Sequence, residues 1–275
     1  MVPMMIRRFT LLAVPAALVA CNPGGEEADP QPAETAEPPQ PPATPEGTPA
    51  PLGGARAVSE RTDTYVFEYS YPQAAGDTEG LAGWLDSRLE QERQQLASRA
   101  SQGREEARDN GFPFNSYSSE TAWEVVADLP GWLSLSADQS TYYGGAHPNY
   151  SFDTIVWNKE TGASVEPIAF FTSAAALDEA LGAQLCEALN AEREKRRGEP
   201  VEEGSNDSFD ACIKPDEGNL LLGSTNGTGF NRIDIQIAPY LAGPYAEGSY
   251  EFTFPVTAEL LEVVRDEYRS AFTAP

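Results

Sequence analysis

The chain contains a single histidine, His147, which lies in the segment TYYGGAHPNY at residues 141–150. An imidazole is the side chain best suited to exchange protons near neutral pH, to activate a nucleophile, or to bind a metal. A serine triad built on His147 stays conceivable, because triads are defined by geometry and not by sequence spacing. The neighbouring residue types favour a different role, since glycine and proline form turns and tyrosine supplies contact area with a polar tip.

Residue counts and motifs exclude most other catalytic and cofactor sites. A zinc site needs several histidines or cysteines at defined spacing, whereas this chain has one histidine and three cysteines. We find no phosphate-binding GxxxxGK motif, no GxGxxG motif and no GxSxG elbow. The glycine-rich stretch at 223–230 lacks the preceding strand and following helix. The many acidic residues single out no pair for glycoside hydrolysis. We therefore predict no catalytic residue, no metal and no cofactor.

The first 55 residues predict export and anchoring. Residues 1–20 have a basic head and a roughly dozen-residue apolar stretch, the pattern of a signal peptide. The sequence LVAC that ends at Cys21 resembles the bacterial lipobox, which implies lipidation of Cys21. Residues 21–55 hold ten prolines, six acids and no aromatic residue, which predicts a disordered tether. We expect an envelope lipoprotein, and Asn22 favours the periplasmic face of the outer membrane if the cell has two membranes.

The two remaining cysteines, Cys186 and Cys212, predict a disulfide. An even pair in an oxidising compartment forms a disulfide more often than two free thiols. The segment between them is charged and poor in apolar residues. The expected disulfide therefore closes a polar loop.

The net charge of the exported domain is strongly negative. Without the two arginines of the signal and the six acids of the tether, 16 basic and 37 acidic residues remain, a net charge of −21. Such a field repels nucleic acid and anionic lipid, and it speeds encounter with a basic partner. Solubility alone is the simpler explanation of the same charge.

Periodicity predicts an α+β fold with mostly antiparallel sheet and two or three packed helices. Strands are predicted at 62–72, on both sides of Leu129–Gly131, at 150–158 with a short return strand, and in RIDIQIAPY and SYEFTFP. Helices are predicted within 78–111, after Thr172 or Ser173, and from Thr257 through TAELLEVVRDEYRSAF. We divide the folded part into an N-terminal half (56–130) and a C-terminal half (131–275) that carries the GGAHPN loop.

Two segments resemble a bacterial extracytoplasmic family of paired domains of unknown function. They are GWLSLSADQSTYYGGAHPNYSFDTIVWNKETGASV and APYLAGPYAEGSYEFTFPVTAELLEVV. The same paired module occurs in RsiV-type anti-sigma factors, whose domain binds lysozyme, and in PdaC-type peptidoglycan deacetylases. This chain lacks the Asp-Asp pair and His-x-x-x-His site of the deacetylase domain, and it lacks a cytoplasmic anti-sigma segment. The resemblance therefore implies the non-catalytic module on a lipid tether.

The function predicted from these features is binding of a cell-wall component or of a basic wall-acting protein such as lysozyme. The alternatives are a wall-directed hydrolase that uses His147 and a structural spacer between membrane and wall. For His147 we expect first a hydrogen bond to neighbouring backbone that fixes the loop, and second a contact role. The candidate binding residues are Tyr142, Tyr143, Gly144, Gly145, His147, Asn149, Tyr150, Tyr240 and Tyr245.

Overall fold

The computed structural model describes residues 53–202 and 204–274. The strands are β1 (Arg56–Arg61), β2 (Tyr65–Tyr71), β3 (Tyr117–Asp128), β4 (Trp132–Tyr142), β5 (Asn149–Asn158), β6 (Ala163–Val165), β7 (Asn219–Gly223), β8 (Arg232–Ile237) and β9 (Tyr250–Pro255). The helices are α1 (Gln73–Gly76), α2 (Leu81–Asp109), α3 (Ala174–Arg197) and α4 (Ala258–Val263). The predicted signal peptide, Cys21 and the tether up to residue 52 lie outside the described residues.

Strands β1 to β6 form one sheet in sequence order. All neighbours are antiparallel except β2 and β3, which are parallel. The crossover between these two strands contains α2, as a parallel pair requires. One face of β2 is buried: Tyr65, Phe67, Tyr69 and Tyr71 alternate along the strand and pack with the leucines of α2. The sequence predicts a boundary between two halves after residue 130. This boundary falls inside the sheet, between β3, which ends before Pro130, and β4, which begins after it.

Strands β7, β8 and β9 form a second, antiparallel sheet. Its core contains a leucine stripe of α3, which consists of Leu177, Leu181, Leu185 and Leu189, all fully buried. Ser173 is the residue that caps α3, since its hydroxyl accepts a hydrogen bond from the Ala176 amide at 3.0 Å. This sheet and α3 position the loop between β8 and β9, residues 238–249.

The third predicted helix is wrong in length. Thr257 caps it as expected, with its hydroxyl accepting from the Leu260 amide, but α4 ends at Val263. Val264 instead forms a β-bridge with Phe171, and the Arg265 amide donates to the Phe170 carbonyl at 2.9 Å. Tertiary pairing with the 170–171 segment thus outweighs helical periodicity, and the chain resumes as a 3₁₀ turn at Asp266–Ala271.

The predicted class is confirmed: the described residues form an α+β fold with mostly antiparallel sheet. The predicted disulfide is also present, and it joins Cys186 in α3 to Cys212, with Cα atoms 5.2 Å apart. Two strands were not predicted. β1 is a half-exposed edge strand, and β7 is a short run of leucines.

Candidate functional site

The GGAHPN loop closes the hairpin of β4 and β5, as the sequence predicts. The last pair of the ladder is Thr141 opposite Asn149. Gly144 and Gly145 then turn the chain with φ angles of 90° and 101°, which only glycine adopts without strain. The Tyr142 hydroxyl donates to the Gly145 carbonyl at 3.1 Å, so this loop is held in one conformation.

A second loop, residues 238–249 between β8 and β9, lies against the first. Tyr240 has a φ of 72° and is the one residue other than glycine with a positive φ in the described part of the chain. Such a conformation is costly for an aromatic residue and concentrates at functional positions. It is held by a hydrogen bond from the Tyr240 amide to the Gly243 carbonyl at 3.0 Å. The chain then enters a 3₁₀ turn at Tyr245–Glu247.

The two loops bring four rings together, which we call the aromatic stack: His147, Tyr150, Tyr240 and Tyr245. The imidazole of His147 lies on the Tyr245 ring, with centroids 3.7 Å apart and planes inclined by 19°. Tyr150 and Tyr240 flank Tyr245 at 6.2 Å and 5.7 Å. Desolvation and the neighbouring Tyr150 raise the pKa of Tyr245. The two flanking rings stay accessible, with Tyr150 46% and Tyr240 51% exposed.

Both nitrogens of the His147 ring have protein neighbours. Nδ1 lies 2.9 Å from the Pro148 carbonyl oxygen, and Nε2 lies 3.3 Å from the Tyr240 hydroxyl. A carbonyl only accepts, so Nδ1 donates to it; in the neutral ring Nε2 then accepts from the tyrosine. Among the described residues, no serine or carboxylate hydrogen-bonds this ring. The contacts fix His147 to its own loop and to the second loop.

Besides the two glycines of the turn, three of the predicted residues lie outside the stack. Tyr143 faces the helix side of the sheet, where Arg99 lies 4.3 Å over its ring and Tyr117 packs at 5.6 Å. Among the described residues, the side chain of Tyr142 makes one hydrogen bond, to Gly145 of its own loop. Asn149 is the first residue of β5, and among the described residues its side chain makes no hydrogen bond.

A groove of about 390 Å³ runs from Tyr150 across the open face of the six-stranded sheet. Its carboxylates are Glu120 on β3, Asp138 on β4 and Glu251 on β9, and small polar side chains such as Ser140 lie between them. None of these three carboxylates has an ion-pair partner within the described residues. We call this feature the acidic groove. It joins the aromatic stack at Tyr150.

The acidic groove is not predicted from the sequence, because its residues come from four strands (β3, β4, β5 and β9) whose register the sequence does not fix. Glu120 pairs with Ser140, which pairs with Tyr150 on the next strand, so the three residues form one row across the sheet. Glu68 on β2 extends this row, since it lies opposite Glu120. Like charges directly opposite each other destabilise a sheet, so the row carries a cost to stability.

The basic end of α3 anchors the second loop. Arg197 binds both carboxylate oxygens of Glu247, at 2.8 Å and 3.2 Å, and also reaches Asp210. Desolvation acts against ionisation of Glu247, but the hydrogen bonds from Arg197 and Tyr250 outweigh it and lower the pKa of Glu247. The hydrogen bonds to Glu247 and Asp210 raise the pKa of Arg197. This bidentate ion pair fixes the turn that presents Tyr245.

Within residues 53–202 and 204–274, no group of three or more histidine, cysteine or acidic side chains is placed to hold a metal ion. No helix in this part of the chain has the length and apolar character needed to cross a bilayer.

The fold and the site define an α+β module with a large mixed sheet, a small antiparallel sheet and an aromatic stack between two loops. Residues 58–150 match the sequence model of a family described as Deacetylase PdaC. A solved DUF3298 family member from Bacteroides fragilis NCTC 9343 shares the fold, with 14% identity over 80% of this chain and 98% of that chain and a TM-score of 0.50. A DUF3298 family protein from Pseudomonas aeruginosa PAO1 is 13% identical over 82% and 98% of the two chains, with a TM-score of 0.48. No curated protein matches the chain.

The family match confirms, for residues 58–150, the resemblance drawn from the sequence. The likeness to the Bacteroides fragilis protein, at 14% identity, extends to the fold alone. The GGAHPN loop lies at the C-terminal limit of the matched segment.

Proposed function

We propose that this chain is a non-catalytic binding module of an envelope lipoprotein, and that its ligand contacts the aromatic stack and the acidic groove together. The ligand is a cell-wall component or a basic wall-acting protein such as lysozyme. Cys21 carries the lipid, and the proline-rich tether separates the module from the membrane surface.

The observation that carries this proposal is the accessible pair Tyr150 and Tyr240 beside carboxylates without ion-pair partners. Half-exposed tyrosines on ordered loops give large contact area at low entropic cost. Unpaired carboxylates next to them favour a ligand with positive charge or with several hydrogen-bond donors. The net charge of −21 in the folded part acts in the same direction over longer distances.

The contacts of His147 favour binding over hydrolysis. A histidine that acts as general base needs a nucleophile within hydrogen-bond reach and a group that orients the ring. Here the ring nitrogens contact a backbone carbonyl and a tyrosine hydroxyl, and one ring face is covered by Tyr245. This arrangement supports a role in holding the two loops together.

Retention on immobilised lysozyme and on purified peptidoglycan sacculi tests the proposal. We expect retention on at least one of the two at low ionic strength, and we expect high salt to reduce it, because exposed charges are screened beyond about 10 Å at 0.1 M salt. Failure to bind either material at low ionic strength contradicts the proposal. Turnover of muropeptides or esters that disappears in His147→Ala would instead favour the hydrolase.

A further inference from the structure

Arg193 lies in the buried stripe of α3 and not on its solvent side. It follows Leu177, Leu181, Leu185 and Leu189 at the same spacing of four residues, and it is 0% exposed. A cation at this position loses its hydration, which is costly unless hydrogen bonds replace the lost water. Desolvation and the neighbouring Arg197 lower the pKa of Arg193.

All five N–H groups of the Arg193 guanidinium are used. Nε and Nη2 both donate to the Ala242 carbonyl, at 3.0 Å and 2.8 Å. Nη1 donates to the Asn190 side chain at 2.9 Å and to the Asp210 carbonyl at 3.1 Å. Nη2 also donates to the Ala211 carbonyl at 3.0 Å. The acceptors are neutral, and four of the five bonds go to backbone oxygens.

These bonds join two loops that are far apart in the sequence. Ala242 belongs to the loop that carries Tyr240 and Tyr245, and it is itself fully buried. Asp210 and Ala211 directly precede Cys212, which the disulfide ties back to α3 at Cys186. Arg193 is therefore bonded on one side to the disulfide-closed loop and on the other side to the loop of the aromatic stack.

We propose that Arg193 is a positioning residue of the aromatic stack, in addition to Arg197: its guanidinium holds the Ala242 carbonyl, and thereby Tyr240 and Tyr245, in register with the disulfide-closed loop. The fork of a guanidinium reaches three backbone carbonyls at once, whereas a lysine ammonium presents three donors from one point. The positioning is independent of the ligand; only its consequence for binding rests on the proposed function.

His147 supplies a direct readout because it is the only histidine of the chain. Its ring protons lie over the face of Tyr245 and are shifted upfield in a proton NMR spectrum by the ring current. Tyr245→Leu, which removes that ring, gives the reference shift for an unstacked His147. The spectra are recorded on the purified protein at one fixed pH.

In Arg193→Met, which keeps the volume and loses every donor, we expect the His147 resonances to move toward the Tyr245→Leu values while far-UV circular dichroism stays native. Lys195→Met is the matched control, since Lys195 on the same helix turn contacts only Glu192. Its His147 resonances should stay at the wild-type position. A folded Arg193→Met protein with wild-type His147 shifts would overturn the proposal.

If Arg193→Met does not fold, two other variants test the positioning role: Arg193→Lys and the double variant Cys186→Ser/Cys212→Ser. Both should shift His147 part of the way, because the first keeps the charge and loses the fork, and the second releases the Asp210 and Ala211 carbonyls. Unchanged His147 resonances in a folded Arg193→Lys protein contradict the positioning role, and unchanged resonances in the double variant contradict the link to the disulfide. The readout uses no ligand, so its failure is distinct from failure of the retention assay.

Discussion

At the scale of single residues, Tyr240 is the strongest indication that the second loop has a functional role. Its backbone adopts φ 72°, its ring is half-exposed, and its hydroxyl approaches His147. A left-handed conformation costs a residue with a Cβ atom roughly 1–2 kcal/mol. The loop thus keeps a destabilising tyrosine where glycine would fit better.

The variants Tyr240→Ala and Tyr240→Gly separate the backbone from the ring. Both remove the ring, and they differ only in the Cβ atom. We expect Tyr240→Gly to be more stable than Tyr240→Ala by about 1 kcal/mol, because glycine adopts positive φ without the steric cost. The free energy of unfolding from urea titration measures this difference. Equal stability of the two variants would show that the strain is absent.

At the scale of elements, alternation and helical spacing predicted most of the fold. The buried tyrosine face of β2, the break at Leu129–Gly131 and the cap of α3 at Ser173 are all local in the sequence. The features that were missed depend on distant partners. β1 forms only because it pairs along β2, and α4 stops because Val264 pairs with Phe171.

The same distinction holds for the candidate site. The spacing of glycine, proline and tyrosine predicted the two loops. The family resemblance included both loops, so residues of both were predicted to bind the ligand. The acidic groove depends on strand register, which the sequence does not state. The burial of Arg193 could have been predicted from the sequence, because Arg193 continues the leucine stripe of α3 by one more step of four residues.

The ion pair between α3 and the second loop predicts a pH dependence. Since the pKa of Glu247 is lowered from the usual 4.5, the stabilisation is fully present above that value and is lost as the pH falls through the lower folded-state pKa. We expect Glu247→Gln to lose about 1–3 kcal/mol of unfolding free energy at pH 7. The difference from the wild type should shrink below pH 4.5, as urea titrations across that range would show. A difference that grows in acid contradicts this assignment.

At the scale of the whole molecule, we propose that the protein consists of an anchor, a tether and an acidic module. The anchor rests on the lipobox resemblance at Cys21 and is a proposal. The tether holds no basic residue within 22–55, so an acidic ligand-binding face does not attract it. A cationic ligand held near the wall is consistent with all three parts.

Cys21→Ser tests the anchor. We expect the wild-type protein, expressed in a bacterial host, to incorporate labelled fatty acid and to sediment with membranes. The variant should lose the label and appear in the soluble envelope fraction. Equal labelling of both proteins would place the lipid at another residue. No labelling of the wild type would contradict the lipid anchor.

The central claim is that the aromatic stack and acidic groove form the binding site, and the affinity of matched tyrosine variants tests it most directly. Calorimetric titration with lysozyme or solubilised wall fragments, whichever is retained, compares the wild type with Tyr150→Ala/Tyr245→Ala and with Phe112→Ala. Phe112 is an aromatic residue that is 70% exposed beyond the end of α2 and takes no part in the stack. We predict at least a tenfold loss of affinity in the double variant, about 1.4 kcal/mol or more, and no change in Phe112→Ala. Wild-type affinity in a folded double variant would contradict the claim.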